Sequence, residues 1–279
     1  MVHQIKIIWN GMPAFFDICN GIFETFKKLN YNVQIQTYME YIDDTLYLFI
    51  PLVNFIHVNL DSIKYIAYHI EQDTSPWITE KYKQVLQNAT YLWSSCPINS
   101  NSLDVVRHYK NHKYVPFGYH DGILMQSNNI NEQDIDILFV GSLNKRRLDI
   151  INLLKQNGMS VVYLFDISRD EHIKQIKRCK IYLNIHYYGE ISALEMARIA
   201  LALGHSKCVV SEPSYISEEN NMVGDLIVFS HINNIIDVCK KYVNDNMLRK
   251  TIEHNLPERF KKCLNLKPSV LSSVHFIKI

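Results

Sequence analysis

Short apolar runs alternate with longer amphipathic segments along the chain, and this alternation predicts strands separated by helices. In the first half, the predicted strands cover 5–9, 33–38, 46–50, 65–70, 91–93 and 113–117, and the predicted helices cover 14–29, 78–87 and 100–109. Strands separated by helices of this length usually pair in parallel, so the pattern predicts βαβ units.

A polar stretch without apolar periodicity interrupts the alternation at 126–134, which is typical of a linker. Beyond it, the predicted strands cover 135–140, 161–165, 181–185, 208–210 and 226–229, and the predicted helices cover 145–156, 171–179, 193–203, 232–243 and 247–254. We therefore expect an α/β protein of two doubly wound, Rossmann-like domains. Ligands bind beyond the carboxyl ends of parallel strands, so two such domains facing each other would form a cleft for a bulky ligand.

These patterns divide the 279 residues into four parts. We expect an N-terminal Rossmann-like domain at 1–120, a linker at 121–134, a second Rossmann-like domain at 135–255 and a tail at 256–279. Two domains agree with the chain length at roughly 100–200 residues per domain. Pro268 disfavours one continuous helix in the tail, because proline has no backbone N–H and its ring clashes with the preceding turn.

Composition narrows the classes of function. The formal net charge of +1 provides no electrostatic reason for binding to nucleic acid or to an anionic membrane. No stretch approaches the roughly 18 apolar residues of a membrane span, and the N-terminus lacks signal-peptide features, so we expect a soluble, cytoplasmic protein. The six cysteines form no CxxC pair and show no zinc-ligand spacing, which predicts reduced thiols and no bound metal.

The first stretch that can carry chemistry is 136–147, where a strand, a glycine turn and a helix start follow one another. Backbone N–H groups at a helix N-terminus favour an anion, and Gly141 permits the close approach of backbone or ligand. Lys145, Arg146 and Arg147 supply positive charge for a diphosphate. An ordinary βα turn with a solvated basic helix face is the alternative, and the spacing leaves both interpretations open.

The second stretch is 183–198, where a strand ends at His186 and a helix is predicted to begin near Ser192. Glu195 and Arg198 are neighbours on one face of that helix, and a carboxylate there can accept both hydroxyls of a ribose. Ser192 and Glu195 also match a capping box, in which Glu195 only satisfies a backbone N–H. His186 also fits a buried structural histidine, and spacing alone favours these structural interpretations.

Six short motifs occur in an order that is found in a known family. They are 139–147 (FVGSLNKRR), 183–188 (LNIHYY) followed by Glu195 and Arg198, 209–212 (VVSE), 68–72 (YHIEQ), 91–99 (YLWSSCPIN) and 115–120 (VPFGYH). Together they resemble the group 1 and CgeB-like glycosyltransferases of the GT-B type, which occur in bacteria and large DNA viruses. The resemblance covers about residues 5–255 and implies a GT-B fold whose C-terminal domain binds a nucleotide sugar.

The resemblance also implies the donor-binding residues. They are Gly141, Ser142, Arg146, Arg147, His186, Glu190, Glu195 and Arg198. The first four would face the diphosphate, Glu195 would hold the ribose, and His186 and Glu190 would lie near the sugar or the phosphates. The retaining GT-B pattern of two glutamates eight residues apart is not met, since Glu190 and Glu195 are five apart. The nucleotide sugar would be a substrate, with UDP chosen on frequency alone, and no cofactor or metal is implied.

By the same resemblance, the N-terminal domain would bind the acceptor and supply a general base. A base is needed because the acceptor hydroxyl loses its proton as it attacks the anomeric carbon. The candidates are Asp17 at the start of the first helix, and His69 and Glu71 at the carboxyl end of a strand, with Asp73 beyond them. Solvent exposure or helix capping is the alternative for each.

The resulting prediction is a metal-independent glycosyltransferase of the hexosyltransferase type. It would move a sugar from a nucleotide sugar to a hydroxyl of a glycan, a protein or a small molecule. One alternative is a glycosyltransferase of DNA bases, against which the near-neutral charge argues. The other is a non-catalytic nucleotide- or sugar-binding protein, left open because Trp93-Ser94-Ser95 lacks the aspartate usual in the family motif.

Overall fold

The computed structural model describes residues 4–124 and 133–274, which form two compact units. The N-terminal unit contains Met1–His120 and Asn265–Ile279, and the C-terminal unit contains Asp121–Leu264. Of the predicted linker, Asp121–Leu124 forms a 3-10 turn in the C-terminal unit, and 125–132 lie outside the described residues.

Six parallel strands form the sheet of the N-terminal unit, in the order β2-β1-β3-β4-β5-β6. The strands are β1 (Gln4–Trp9), β2 (Val33–Gln36), β3 (Thr45–Ile50), β4 (Lys64–His69), β5 (Tyr91–Ser94) and β6 (His112–Tyr114). The helices between them are α1 (Phe16–Lys28), α2 (Glu80–Gln87) and α3 (Asp104–Arg107). Every residue of the inner strand β3 is buried, as expected for a parallel strand covered on both faces.

Five parallel strands form the sheet of the C-terminal unit, in the order β11-β10-β9-β7-β8. They are β7 (Ile135–Val140), β8 (Val161–Leu164), β9 (Cys179–Asn184), β10 (Cys208–Ser211) and β11 (Ile227–Phe229). The helices are α4 (Lys145–Gln156), α5 (Arg169–Arg178), α6 (Met196–Gly204), α7 (Ser217–Val223), α8 (Ile235–Asn244), α9 (Asn246–Glu253) and α10 (Leu256–Cys263). The predicted α/β class with two Rossmann-like units is therefore confirmed.

The predicted helix at 100–109 is wrong in extent, because α3 is a single turn. In the residues before α3, side chains accept hydrogen bonds from backbone N–H groups. The Asn99 N–H donates to Ser102 Oγ at 3.0 Å, and the Asn101 N–H donates to Asn99 Oδ1 at 2.7 Å. Short polar side chains that bond to nearby backbone groups in this way compete with helix formation.

The tail forms two helices rather than one, as Pro268 predicts. The first, α10, belongs to the C-terminal unit, and the second, α11 (Leu266–Val274), packs against α1 in the N-terminal unit. Pro268 lies in the first turn of α11, where its missing N–H has no intrahelical partner to lose. Helices α1 and α11 pack so closely that a Cβ at Gly21 of α1 would lie 2.7 Å from Leu266 Cδ2.

Within residues 4–124 and 133–274, no helix has both the length and the apolar character needed to cross a membrane.

Candidate functional site

Three polar segments meet at one edge of the C-terminal sheet. Strands β10, β9 and β7 are parallel neighbours, so their carboxyl ends lie side by side. Gly141 follows β7, His186 follows β9 and Glu212 follows β10. The edge of a parallel sheet at which the strands end is where open α/β folds bind ligands.

Glu195 is the centre of the polar cluster at this edge, although it lies in the loop between β9 and α6. Its carboxylate is approached by five protein groups: Arg147 Nη2 at 3.0 Å, Arg198 Nη2 at 3.1 Å, the Tyr187 N–H at 3.3 Å, Asn184 Nδ2 at 2.9 Å and His186 Nδ1 at 2.8 Å. A carboxylate offers about four lone-pair sites. The protein itself therefore occupies the acceptor capacity of Glu195.

The electrostatic environment keeps Glu195 ionised. Burial alone would raise the pKa of its carboxyl, but Arg198, His186 and Arg147 lower this pKa to about 2. Burial is the largest single influence on His186 and would lower its pKa, but the hydrogen bond to Glu195, the charges of Glu195 and Glu212 and the Pro213 carbonyl together outweigh burial and raise this pKa. The second ring nitrogen of His186 lies 3.0 Å from the Pro213 carbonyl, so both ring nitrogens face acceptor oxygens.

The three consecutive cations after β7 have three different environments. The side chain of Lys145 is 88% exposed and pairs with Asp149. Arg146 is 26% exposed and forms a bidentate pair with the buried carboxylate of Glu212. Arg147 is 2% exposed, so of the three it is the one turned into the protein.

Arg147 is held in the interior by carbonyl groups and aromatic rings. Its Nε donates to the Ile185 carbonyl at 2.9 Å and its Nη1 to the Ser142 carbonyl at 2.8 Å. Its guanidinium lies 5.3 Å from the ring centroid of Phe139 and 5.1 Å from that of Tyr187. Burial, followed by the charge of Arg198, lowers the pKa of Arg147. The expectation that Arg147 faces a diphosphate does not match this conformation.

Glu212 determines the orientation of the Arg146 guanidinium. The Nη1 atom of Arg146 lies 2.7 Å from Glu212 Oε2 and 3.1 Å from the His186 carbonyl. The same Glu212 oxygen accepts the His186 N–H at 2.8 Å. Charge-assisted, bidentate pairs of this kind are geometrically specific, so the Arg146 guanidinium has a defined position at the edge of the sheet.

Arg198 approaches the backbone at position 141 so closely that only glycine fits there. A Cβ at this position would lie 2.1 Å from Arg198 Nη1, and the backbone φ is +151°. Arg198 cannot easily move away, because it donates to the Val140 carbonyl at 3.0 Å and to Asn184 Oδ1 at 2.9 Å. The sequence predicted a close approach at Gly141 by backbone or ligand, and in this structure a side chain makes that approach.

The capping box predicted at Ser192 and Glu195 is wrong. Helix α6 begins at Met196, and Glu195 occupies the cap position without a side-chain capping bond. The Glu195 carboxylate is instead drawn to the two arginines and His186. Ser192 lies in the preceding loop, where its carbonyl accepts the Tyr215 N–H at 3.1 Å.

Glu219 supports this loop, and sequence reasoning missed it. Its Oε2 accepts the Leu194 N–H at 2.9 Å and the Ser214 hydroxyl at 2.6 Å, and the residue is 5% exposed. Burial raises the pKa of Glu219 to about 7, although these two hydrogen bonds and the charge of His186 oppose the shift. Nothing in the local sequence distinguishes Glu219 from its exposed neighbour Glu218.

Two other members of the cluster were missed as individual residues. Asn184 and Glu212 lie within the recognised segments LNIHYY and VVSE, but no role was assigned to either side chain. Asn184 joins Glu195 to Ser211, since its Nδ2 lies 2.9 Å from both Glu195 Oε2 and Ser211 Oγ. Both residues could have been found from the sequence, because each is a polar residue at the carboxyl end of an apolar, buried strand. Of the predicted donor residues, Ser142 and Glu190 are exposed at this edge.

Two of the candidate bases, His69 and Glu71, lie at the end of β4 in the N-terminal unit, and the third, Asp17, lies in helix α1. His69 ends β4 and is 3% exposed, with Nδ1 2.8 Å from the Tyr82 hydroxyl and Nε2 3.2 Å from Asp73. Glu71 is half-buried and accepts the Ser75 hydroxyl at 3.1 Å, and burial raises its pKa. Asp17 is half-buried in the first turn of α1. Their catalytic roles remain predictions.

Comparison with known sequences finds two viral relatives. Both are uncharacterised proteins of Acanthamoeba polyphaga mimivirus: L138 is 27% identical over 135 residues, and L137 is 27% identical over 145 residues. The matches cover 46% and 50% of this chain but only 14% and 18% of the viral proteins, so the chain spans less than a fifth of their length. No protein-family model matches the sequence.

Comparison with solved structures finds similarity over nearly the whole chain. The DNA-modifying enzyme β-glucosyltransferase, solved with and without its substrate uridine diphosphoglucose, has a TM-score of 0.62 at 13% identity and covers 98% of this chain and 100% of its own. Sucrose-phosphate synthase from Thermosynechococcus elongatus has a TM-score of 0.61 at 10% identity, with 98% of both chains covered. WaaG, a glycosyltransferase of lipopolysaccharide biosynthesis, has a TM-score of 0.60 at 11% identity, with 98% and 99% covered. At these identities the likeness shows the fold, which is GT-B.

Replacing Glu195 tests whether this residue holds the cluster together. Glu195→Ala leaves the buried charge of Arg147 without its counter-ion, so we expect the free energy of unfolding to fall by about 3–5 kcal/mol. Urea denaturation measures this change. Glu190→Ala removes an exposed carboxylate from the same loop and should change the stability by less than about 0.5 kcal/mol. Equal, small effects of the two substitutions would contradict the central position of Glu195.

Replacing Glu219 tests whether a neutral carboxyl supports the loop before α6. A folded-state pKa near 7, above the ordinary glutamate pKa of 4.5, means that at intermediate pH the folded protein retains a proton that the unfolded chain has lost. Stability should therefore be complete below pH 4.5 and fall as the pH rises through 7, by roughly 3 kcal/mol. Glu219→Gln keeps the acceptor oxygen and should lack this fall when unfolding is measured from pH 4.5 to 8. Parallel pH profiles of the two proteins would contradict the assignment.

Proposed function

We propose that the chain is a glycosyltransferase that moves a sugar from a nucleotide sugar, bound by the C-terminal unit, to an acceptor hydroxyl bound by the N-terminal unit. The observation that carries the proposal is the placement of Arg146 at the carboxyl edge of the C-terminal sheet in a GT-B fold. The three structures named above are glycosyl-transferring enzymes or synthases of this fold. We further propose that the chain belongs to the CgeB-like group, because its motifs occur in the order of that group.

The diphosphate of the donor would bind where β7 leads into α4. Ser142 and the side chain of Lys145 are exposed there, and the side chain of Arg146 is partly exposed. The first backbone N–H groups of a helix carry a partial positive charge, which adds to that of the side chains. An anion at this position gains both direct hydrogen bonds and a favourable field.

Arg146 would stabilise the departing nucleoside diphosphate. As the bond between the anomeric carbon and the diphosphate oxygen breaks, negative charge grows on that oxygen. Donors that are already oriented towards this charge lower the barrier without reorganising. The pairing with Glu212 supplies the orientation, because both terminal nitrogens of the guanidinium bond to its carboxylate. A phosphate would bind to the part of the Arg146 side chain that remains exposed.

Glu195 would contact the ribose only by giving up a present partner. Its longest hydrogen bond, at 3.3 Å, is to the Tyr187 N–H, so this donor is the one that a ribose hydroxyl would displace first. Arg147 and Arg198 would remain bound, because their charges require the carboxylate. His186 would act by holding Glu195 in place, and Glu190 would contact the sugar.

For the general base we choose Glu71. Its half-buried carboxyl has a raised pKa, which makes it a stronger proton acceptor than an ordinary surface glutamate. The acceptor oxygen would form a bond to the anomeric carbon while its proton passes to Glu71. His69 is enclosed by Tyr82 and Asp73, and it would position that loop. The chemistry as proposed needs no metal ion, and a hexose carried on UDP is our choice of donor.

A thermal-shift screen of UDP-, GDP-, ADP-, CMP- and dTDP-sugars tests the donor site. A ligand that binds only the folded state stabilises it by mass action, so one nucleotide class should raise the melting temperature. Arg146→Ala should weaken this binding roughly tenfold, which corresponds to about 1.4 kcal/mol. Lys155→Ala, at the far end of α4, is the matched control and should bind as the wild type does. No shift with any nucleotide sugar, or an equal shift in Arg146→Ala, would contradict the proposal.

A further inference from the structure

No lysine or arginine lies in the segments that follow the strands of the N-terminal sheet. These segments, all within the described residues, are 10–15, 37–44, 51–63, 70–79, 95–103 and 115–120, and none contains lysine or arginine. They contain six acidic residues: Glu40, Asp43, Asp44, Asp61, Glu71 and Asp73. The buried Lys6 of β1 reaches Glu40 at 2.9 Å, but it is only 2% exposed. Because 37–44 and 51–63 continue to the first residues of β3 and β4, Asp43, Asp44 and Asp61 lie near the amino ends of those strands. The carboxylates that belong to the carboxyl edge are therefore Glu71 and Asp73, in the segment after β4, and no lysine or arginine lies in the segments that follow the strands.

The same edge exposes large apolar side chains. Trp77, in the segment after β4, is 60% exposed. In the segment after β1, Met12 is 43% exposed, and Phe16 at the start of α1 is 36% exposed. Trp9 meets Phe16 edge to face at 5.8 Å, and its Nε1 donates to the Met12 carbonyl at 3.0 Å. The aromatic groups after β1 are thus already fixed in position.

Trp77 and the candidate base Glu71 belong to one hydrogen-bonded loop. The Ser75 hydroxyl donates to Glu71 at 3.1 Å and accepts the Trp77 N–H at 3.3 Å. The Ser75 N–H donates to the Gln72 carbonyl at 2.7 Å, which closes the turn between them. An acceptor that packs on the Trp77 ring therefore lies on the same loop as the Glu71 carboxylate.

Trp77 and the aromatic groups after β1 follow two strands that are separated by a single strand. Strand β3 lies between β1 and β4, so the ends of β1 and β4 are about 10 Å apart at the usual spacing of neighbouring strands. Sugar rings carry C–H groups on their faces and hydroxyls around their edges. The faces pack on aromatic rings, and carboxylates accept hydrogen bonds from the hydroxyls.

We propose that the acceptor is an uncharged saccharide, whose ring packs on Trp77 while its reacting hydroxyl faces Glu71. This inference rests on the proposed function and names its acceptor. A DNA acceptor fits this edge poorly, because nucleic acids are bound chiefly through lysine and arginine contacts to phosphate. Here the phosphates would meet carboxylates instead.

Saturation-transfer NMR on the full chain tests the proposal. The probes are methyl glycosides of glucose, galactose, mannose and N-acetylglucosamine, and a duplex DNA that contains hydroxymethylcytosine. We expect at least one glycoside to bind, and Trp77→Ala to weaken its binding roughly tenfold through the lost ring contact. Met247→Ala, which removes a side chain that is 73% exposed in the C-terminal unit, is the matched control.

Three results would overturn the inference. They are binding of the DNA without any glycoside, glycoside binding that is unchanged in Trp77→Ala, and no saturation transfer to any glycoside. Hydrolysis of the nucleotide sugar, measured in parallel without acceptor, separates these results from failure of the proposed function. If the donor is hydrolysed while the glycosides do not bind, only the acceptor is wrong. If the donor is neither bound nor hydrolysed, the proposed function fails and the acceptor proposal fails with it.

Discussion

The carboxylate of Glu195 is the charge on which the candidate donor site depends. Two arginines reach it from different elements, Arg147 from α4 and Arg198 from α6, and burying their charges without a partner would be strongly unfavourable. The pairing determines several neighbouring features. Arg198 can approach only because residue 141 is glycine, and Glu195, which precedes the first residue of α6, binds arginines instead of capping the helix.

The two units differ in the cations that follow their strands. In the C-terminal unit, β7 is followed by three cations, one of which is buried as a structural group while another stays at the surface in a fixed orientation. In the N-terminal unit, the segments after the strands contain carboxylates and exposed aromatic rings but no lysine or arginine. This difference matches an anionic donor on one unit and an uncharged acceptor on the other.

Most of the fold could be predicted because parallel strands are buried on both faces and form continuous apolar runs. The strand at 135–140 and the helix at 145–156 agree with β7 and α4 to the residue. The environments of the individual side chains in the site were harder to predict, because the direction of a side chain depends on how the elements pack in the folded protein. Lys145, Arg146 and Arg147 are alike in charge, and only the packed structure shows that Arg147 is buried. Glu219 follows Glu218 in a polar helix, and only the position of α7 buries one and exposes the other.

A crystal structure of the chain with the nucleoside diphosphate that gives the largest thermal shift tests the donor site most directly. We expect the diphosphate within hydrogen-bonding distance of Arg146 and of the first turn of α4, with Arg147 and Arg198 still bound to Glu195. A diphosphate bound elsewhere, or Arg147 turned outward to meet it after leaving Glu195, would contradict the central claim.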